Sequence, residues 1–367
     1  MNRIKLGDIA VLKTGPFGTQ LSAKEYTENG IPIINVKNIG YGDILTDELD
    51  YVSEDTCERL NEHILEEGDI VFGRKGSVDR HAYIDKQFSG WLQGSDCIRV
   101  RCIDNVNKKF ISHYLKLEHI KKQVNHAAVG STMASLNTDI LKRIEIDLPD
   151  RMYQDAIENI LTLIEEKIVL NKKINDNLSV MAYDTYMHTF YGKKPNGKLS
   201  DILVENDKSK VQVGEAKESD GEYPFFTSGE AILRWKEHFV DGRNCFLNTG
   251  GNADVKFYVG KAAYSTDTWC ISANQNLGDY LYLLLLSIKP ELNKKFFQGT
   301  GLKHLQKPLL KDRPIYIPTT DEITTFNSQI PHWFDIIAEN TRENQHLTAL
   351  RDWLLPMLMN GQATISE

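Results

Sequence analysis

The sequence predicts an α+β protein with a pseudo-two-fold internal repeat: two homologous α/β units joined by two long helices that pair as an antiparallel coiled coil. Three observations carry this expectation. The two halves align without a gap around each helix, an apolar stripe with alternating spacings of three and four runs along both, and short apolar runs bounded by glycine, asparagine and aspartate fill the units before them. The implied division is a first unit at 1–150, a central spacer helix at 151–192, a second unit at 193–320 and a C-terminal spacer helix at 321–367.

In the gapless part Gly130 falls on Gly299, Leu136 on Leu305, Pro149 on Pro318, Asn171 on Asn340 and Asn175 on Asn344, always 169 residues apart. Upstream the similarity survives as islands. "KLGDIA" at 5–10 answers "KLSDIL" at 198–203, Pro32 answers Pro224, and "EGDIVFGRKGS" at 67–77 answers "DGRNCFLNTGG" at 241–251 with an offset of 174. A repeat this large is a duplicated domain rather than a solenoid of short units.

Within the variable units, "IPIINV" (31–36), "DIVFG" (69–73), "CIRVRCI" (97–103), "CFLN" (245–248) and "VKFYVGKAAYS" (255–265) have the composition and length of strands. The loops between them are long and polar, which suits a surface that recognises something. After Pro149, residues 152–190 place Ile157, Leu161, Ile164, Ile168, Leu178 and Ala182 on one stripe, interrupted only by Asn171 and Asn175. That predicts a helix of roughly 57 Å at 1.5 Å per residue. Its counterpart at 321–360 carries Phe326, Ile330, Phe334, Ile337, Leu347, Leu350, Leu354 and Met357, with Pro331 expected in a first turn or at a kink and Pro356 at a late kink. Neither stripe can be hidden by a lone helix, so the two are paired; the alternative is that each packs on its own unit.

Composition narrows the function classes. The chain has 367 residues, 41% of them hydrophobic, and a formal charge of -8, so any affinity for nucleic acid must come from local basic stripes. Five cysteines, odd in number and without zinc spacing, imply reduced thiols in cores and a cytoplasmic protein. The most apolar run, "YLYLLLLSI" at 280–288, is far too short for a membrane span of roughly 20 residues. No phosphate-binding loop, dinucleotide fingerprint, H-E-x-x-H or G-x-S-x-G motif occurs, and "FGRKGSVD" at 72–79 has the wrong spacing for the first of these. His113, His119 and His126 lack the i, i+4 spacing of a helical metal pair. No metal site and no catalytic residue is therefore expected on this chain.

At this point the sequence resembles a family. "LKTGPFGTQLSAKEYTENGIPIINVKNI" (12–39), "EGDIVFGRKGSVDRHAYID" (67–85), "GSTMASLNTDILKRIEIDLP" (130–149) and the long helix after each proline are similar to the specificity subunit of type I restriction-modification systems. The resemblance covers essentially the whole chain and makes the variable units target recognition domains. It implies a non-catalytic subunit that binds double-stranded DNA with a bipartite target, together with two modification (methyltransferase) subunits and restriction/translocase subunits. It further implies that S-adenosylmethionine, ATP and magnesium are used by those partners for adenine-N6 methylation and cleavage, with no cofactor on this chain. The second half departs from the pattern at "SGEAILRWKEHFVDGRNC" and has "GTGLKHLQKPLL" where the first has "GSTMASLNTDIL".

Such a plan makes the helices a ruler between two different half-sites, expected about one helical turn of DNA apart, roughly 34 Å. Asn171, Asn175, Asn340 and Asn344 are candidates for fixing helix register as buried polar groups, or else they face solvent at the rim. Arginine and lysine suit guanine edges, and asparagine and glutamine suit adenine. On that chemistry the first-unit candidates are Phe17, Thr19, Gln20, Asn35, Lys37, Asn38, Arg74, Lys75, Ser77 and Arg80, with Ser131, Thr132 and Asn137 for phosphates. The second-unit candidates are Thr227, Ser228, Arg234, Asn248, Thr249, Asn252 and Lys256, with Thr300, Lys303 and His304. Two rivals from other classes are a structural coiled-coil adaptor without sequence-specific DNA binding and a DNA-modifying enzyme with its own site.

Overall fold

The computed structural model describes residues 2–128, 135–274 and 276–363. Two compact units emerge: Met1–Glu166 with Leu347–Glu367, and Lys167–His346. Their boundaries cut through both long helices, so one end of each helix belongs to each unit.

In the first unit the strand Cys97–Cys102 lies inside a five-stranded sheet ordered Ala10–Thr14, Cys97–Cys102, Ile70–Gly73, His81–Tyr83 and Tyr41–Gly42. Its apolar residues Ile98 and Val100 are 0% exposed. The arginines that alternate with them are satisfied by neighbours: Arg101 pairs with the buried Asp69 at 2.7 Å, and Arg99 donates to the carbonyls of Glu62 and Ile64. A second sheet of four strands includes Ile31–Ile34 running parallel to Leu92–Gln93.

The second unit repeats these parts. Thr268–Ala273 lies between Leu203–Glu205 and Arg243–Asn248, with Val255–Val259 beyond, and Tyr223–Phe226 runs parallel to Ala263–Tyr264. The expected strand at 255–265 is broken at Gly260, whose φ of 126° ends one strand before the next begins. The apolar run at 280–288 is the helix Gly278–Ser287, and its Tyr280, Leu281, Leu283 and Leu285 are 0% exposed. In both units the first strand pairs with the last strand before the helix: Lys5 opposite Glu145, and Lys198 opposite Pro314.

Cross-strand pairing corrects one register. Ile70 faces Val100 as Cys245 faces Ile271, which makes the offset there 175 rather than 174. Gly68 and Gly242 still correspond, with φ of 91° and 85°, whereas Gly76 answers Gly251, with φ of 79° and 87°. The second unit thus has one extra residue between Gly242 and Cys245, in the part of Arg243–Asn248 that pairs with Val255–Val259 and ahead of the part that pairs with Thr268–Ala273.

The first long helix is Arg151–Thr189, 39 residues. The counterpart is two helices, Thr320–Asn327 and Ile330–Met359, so the uninterrupted 321–360 helix is corrected. Pro331 stands in the first turn of the second segment, where its missing N–H costs nothing, and Pro356 lies inside it. In the first unit, Ile157 and Leu161 share a core with Leu358 and Met359, and Leu354 and Leu355 pack against it. In the second unit, Ala182, Tyr186 and Phe190 share a core with Phe326, Ile330 and Phe334. In the second unit residue numbers rise along one helix as they fall along the other, Asn171 meeting Asn344 and Asn175 meeting Asn340, as an antiparallel pair requires. Leu350 leaves the expected stripe and is 42% exposed. All five cysteines are buried and free, and among the described residues no helix is long and apolar enough to cross a membrane.

Candidate nucleic-acid interface

The start of the central strand gathers the candidate loops of each unit. In the first, the strand Ala10–Thr14 ends opposite Ile98 and Ile70–Gly73 ends opposite Cys97, so the loops at 15–20 and 74–80 leave from the same end. Gly15 N donates to Cys97 O at 2.9 Å, and Arg74 N donates to Asp96 O at 2.7 Å. A Cβ at Gly15 would stand 1.9 Å from Gly94 O, so only glycine allows that approach. Gly94 N in turn donates to Ile34 O at 2.9 Å, which brings the segment 35–38 to the same place. Leu136 N donates to Arg74 O at 2.8 Å, adding the loop before the helix Thr138–Lys142.

The second unit makes the same junction with other side chains. Thr249 N donates to Asp267 O at 3.1 Å, Ser265 N to Phe226 O at 2.9 Å, and Leu305 N to Thr249 O at 3.0 Å. Gly251 N also reaches Lys303 O at 2.9 Å, so the loops holding Thr249, Asn252, Thr300, Lys303 and His304 form one surface.

Burial sorts the candidates. Phe17 is 61% exposed, and Thr19 and Gln20 are exposed beside it. Lys75 and Ser77 are exposed, with Lys75 Nζ 3.1 Å from Asp96 and Arg74 half-buried. Lys37 is exposed but paired with Asp50 at 3.1 Å, and Asn35 donates to the same carboxylate at 2.8 Å. Asn137 is the N-cap of Thr138–Lys142, its Oδ1 accepting from Ile140 N at 2.9 Å. Ser131 and Thr132 lie outside the described residues.

In the second unit Arg234, Asn252, Thr300, Lys303 and His304 are exposed. Arg234 donates to Glu222 O at 3.0 Å, and Ser228 and Thr249 both donate to Asp267 O.

Four candidates are spent inside the fold, which corrects their reading as presented groups. Asn38 is 1% exposed; its amide donates to Leu45 O at 3.0 Å and Glu48 O at 2.9 Å, and its Oδ1 accepts from Asn35 N. Asn248, 5% exposed, donates to Gly250 O and Asn252 O and accepts from Asp254 N. Thr227, 5% exposed, donates to Gly229 O and Ala231 O. Lys256 is half-buried on the carbonyls of Thr227 and Gly229, and burial pushes its ammonium pKa down. Each satisfies backbone carbonyls of a turn with its own donor instead of presenting that donor outward.

Sequence reading missed two groups. The loop at 206–210 answers 13–17 at the offset of 193 and exposes Lys208 and Lys210; extending that offset past the strand would have found them. The helix Glu118–Ala127 exposes Lys122, Gln123, Asn125 and His126, a face visible once Ile120 and Val124 are taken as its buried side. Of the three histidines noted earlier, His113 is buried, with its pKa held well below 6.5 by desolvation, and no metal-binding cluster occurs among the described residues.

The four helix asparagines lie across the helix pair. Asn171 Nδ2 donates to Asn344 Oδ1 at 3.0 Å, and Asn340 Nδ2 donates to Asn175 Oδ1 at 2.9 Å. Asn344 Nδ2 reaches Ile168 O at 3.2 Å, as Asn175 Nδ2 reaches Ile337 O at 3.4 Å. The 169-residue repeat exchanges each bond with its counterpart, donor for donor. Asn171 is 1% exposed, which answers the alternative of a solvated rim for that position.

Comparison with known proteins agrees with this architecture. The model of the type I restriction modification DNA specificity domain matches residues 1–180 and 193–349. The MjaVIII specificity subunit of a type I restriction enzyme from Methanocaldococcus jannaschii is 22% identical over 188 residues, 48% of this chain and 42% of that protein. The MjaIX specificity subunit from the same organism is 21% identical over 307 residues, 72% of this chain and 71% of that protein. The match thus spans less than half the length of the first relative. The crystal structure of a type I restriction-modification S subunit from M. genitalium has the same fold, with a TM-score of 0.69 at 14% identity over 100% of this chain and 96% of that one. Two domain matches, one on each half of a duplicated fold, place this chain in the family of type I restriction-modification specificity subunits.

Proposed function

We propose that this chain reads a bipartite, asymmetric DNA sequence and carries no catalysis of its own. The loops at 15–20, 74–80 and 135–137 address one half-site, and those at 206–210, 249–252 and 298–304 address the other. The paired helices set the gap and dock two methyltransferase subunits, with restriction/translocase subunits joining that core. S-adenosylmethionine, ATP and magnesium act on those partners, where adenine-N6 methylation and cleavage take place.

One observation carries the reading. Loops of different sequence leave a shared set of backbone bonds in the two units: Arg74 N on Asp96 O is answered by Thr249 N on Asp267 O, Gly94 N on Ile34 O by Ser265 N on Phe226 O, and Leu136 N on Arg74 O by Leu305 N on Thr249 O. A constant junction bearing different side chains is what two domains need if each reads a different sequence. Among residues still presented, Arg74, Lys75, Arg234 and Lys303 are suited to guanine edges or phosphates, and Gln20 and Asn252 to adenine. The acidic balance of the chain is compatible with this, because short-range contacts to phosphate depend on local cations.

Single-molecule methylation sequencing tests it. DNA from cells expressing the chain with its methyltransferase partner should carry a split adenine motif that is missing when either protein is omitted. Two proteins that associate and still leave no motif would point to the coiled-coil adaptor instead.

A further inference from the structure

Tyr41 stands 51% exposed on the short edge strand Tyr41–Gly42, which pairs in parallel with His81 and Ala82. Two cations share its ring. The Arg80 guanidinium lies 5.0 Å from the centroid and the Lys121 ammonium 4.9 Å from it. They come from separate segments: Arg80 closes the loop opened by Arg74 and Lys75, and Lys121 stands on the helix Glu118–Ala127 beside the exposed Lys122.

Both charges therefore lie within about a Debye length of each other at ordinary salt. Neither belongs to an ion pair among the described residues, although Lys75 and Lys116 nearby each have a carboxylate partner. Asp43, the acidic residue closest to Tyr41 in sequence, is turned onto its own turn, its Oδ1 accepting from Tyr41 N at 3.0 Å. Arg80 Nε is buried and has no hydrogen-bond partner among the described residues. A ring attracts a cation through its quadrupole but leaves the net charge uncompensated. Two cations gathered on one exposed ring, rather than neutralised by carboxylates, are preset for an anion from outside.

We infer that Tyr41, Arg80 and Lys121 anchor the phosphodiester backbone of duplex DNA on the first unit. This rests on the proposed function and changes the role of Arg80. A guanidinium held on a ring with Nε buried cannot extend to a guanine edge in a groove, whereas a phosphate can approach it and Lys121 together. Tyr41 is a positioning residue that holds both side chains; the two cations make the contact. Backbone contacts fix orientation and carry no sequence information.

The test uses the full chain with its methyltransferase subunits and two fluorescent duplexes, one of random sequence and one bearing the methylated motif. Arg80→Gln and Lys121→Gln should each weaken both duplexes by the same factor, roughly tenfold at low salt, and lower the slope of log affinity against log salt by about one. The preference for the motif should not change. Tyr41→Ala should reproduce the loss while Tyr41→Phe retains affinity, because the ring and not the hydroxyl holds the cations. A loss confined to the motif duplex with an unchanged salt slope would make Arg80 a base reader and overturn the anchor. So would wild-type affinities in variants whose melting temperature shows them folded. A wild-type complex that binds both duplexes equally would instead sink sequence-specific reading and leave the anchor to stand or fall on the slope.

Discussion

Asn38 and Arg74 are both residue types that suit base recognition, and they have different fates. Asn38 closes the turn 35–48 with three hydrogen bonds, while Arg74 uses only its backbone among the described residues, giving N–H to Asp96 and accepting from Leu136. Replacing Asn38, itself 1% exposed, with alanine removes the donor to the Leu45 and Glu48 carbonyls and the acceptor for Asn35 N, at a cost of about 2–3 kcal/mol. Urea unfolding should register that loss, while the methylated motif, if any complex survives, stays the same. A changed motif in a stable Asn38→Ala protein would restore Asn38 as a reader. The distinction was hidden from sequence because an asparagine's type states which bonds it can make, and only its surroundings state which it has made.

At the scale of elements, the helix pair was the most legible part. A stripe repeating over 39 residues leaves little freedom in its reading, and the structure gives Arg151–Thr189 as one helix. The counterpart was less legible, since the interruption between Asn327 and Ile330 depends on how the chain turns ahead of Pro331. Each asparagine pair costs stability relative to an apolar pair but rejects a slipped register. Replacing Asn175 and Asn340 together by leucine is therefore expected to raise stability by about 1–2 kcal/mol and to widen the set of gap lengths that become methylated. Calorimetry and methylation sequencing on the same variant would check both; a single unchanged gap would show that the asparagines do not set the register.

For the whole molecule, the duplicated plan makes recognition modular. Exchanging residues 198–320 for the same region of a relative should change one half of the methylated motif and leave the other half and the gap intact. Methylation sequencing of the chimaera decides this, and a change in both halves would contradict two independent readers. The sequence by itself determined the duplication, the two long helices, the family and the residue types available to the loops, because periodicity and repetition are properties of the chain alone. Only the tertiary structure decided that Asn38, Asn248 and Thr227 serve their own turns, that Lys256 serves the turn at 227–229, that the second unit carries an extra residue ahead of Cys245, and that Lys121 shares a ring with Arg80. The physical reason is that a polar side chain is free to act outward only where no buried backbone group requires it. Which backbone groups are buried depends on segments far apart in sequence coming together.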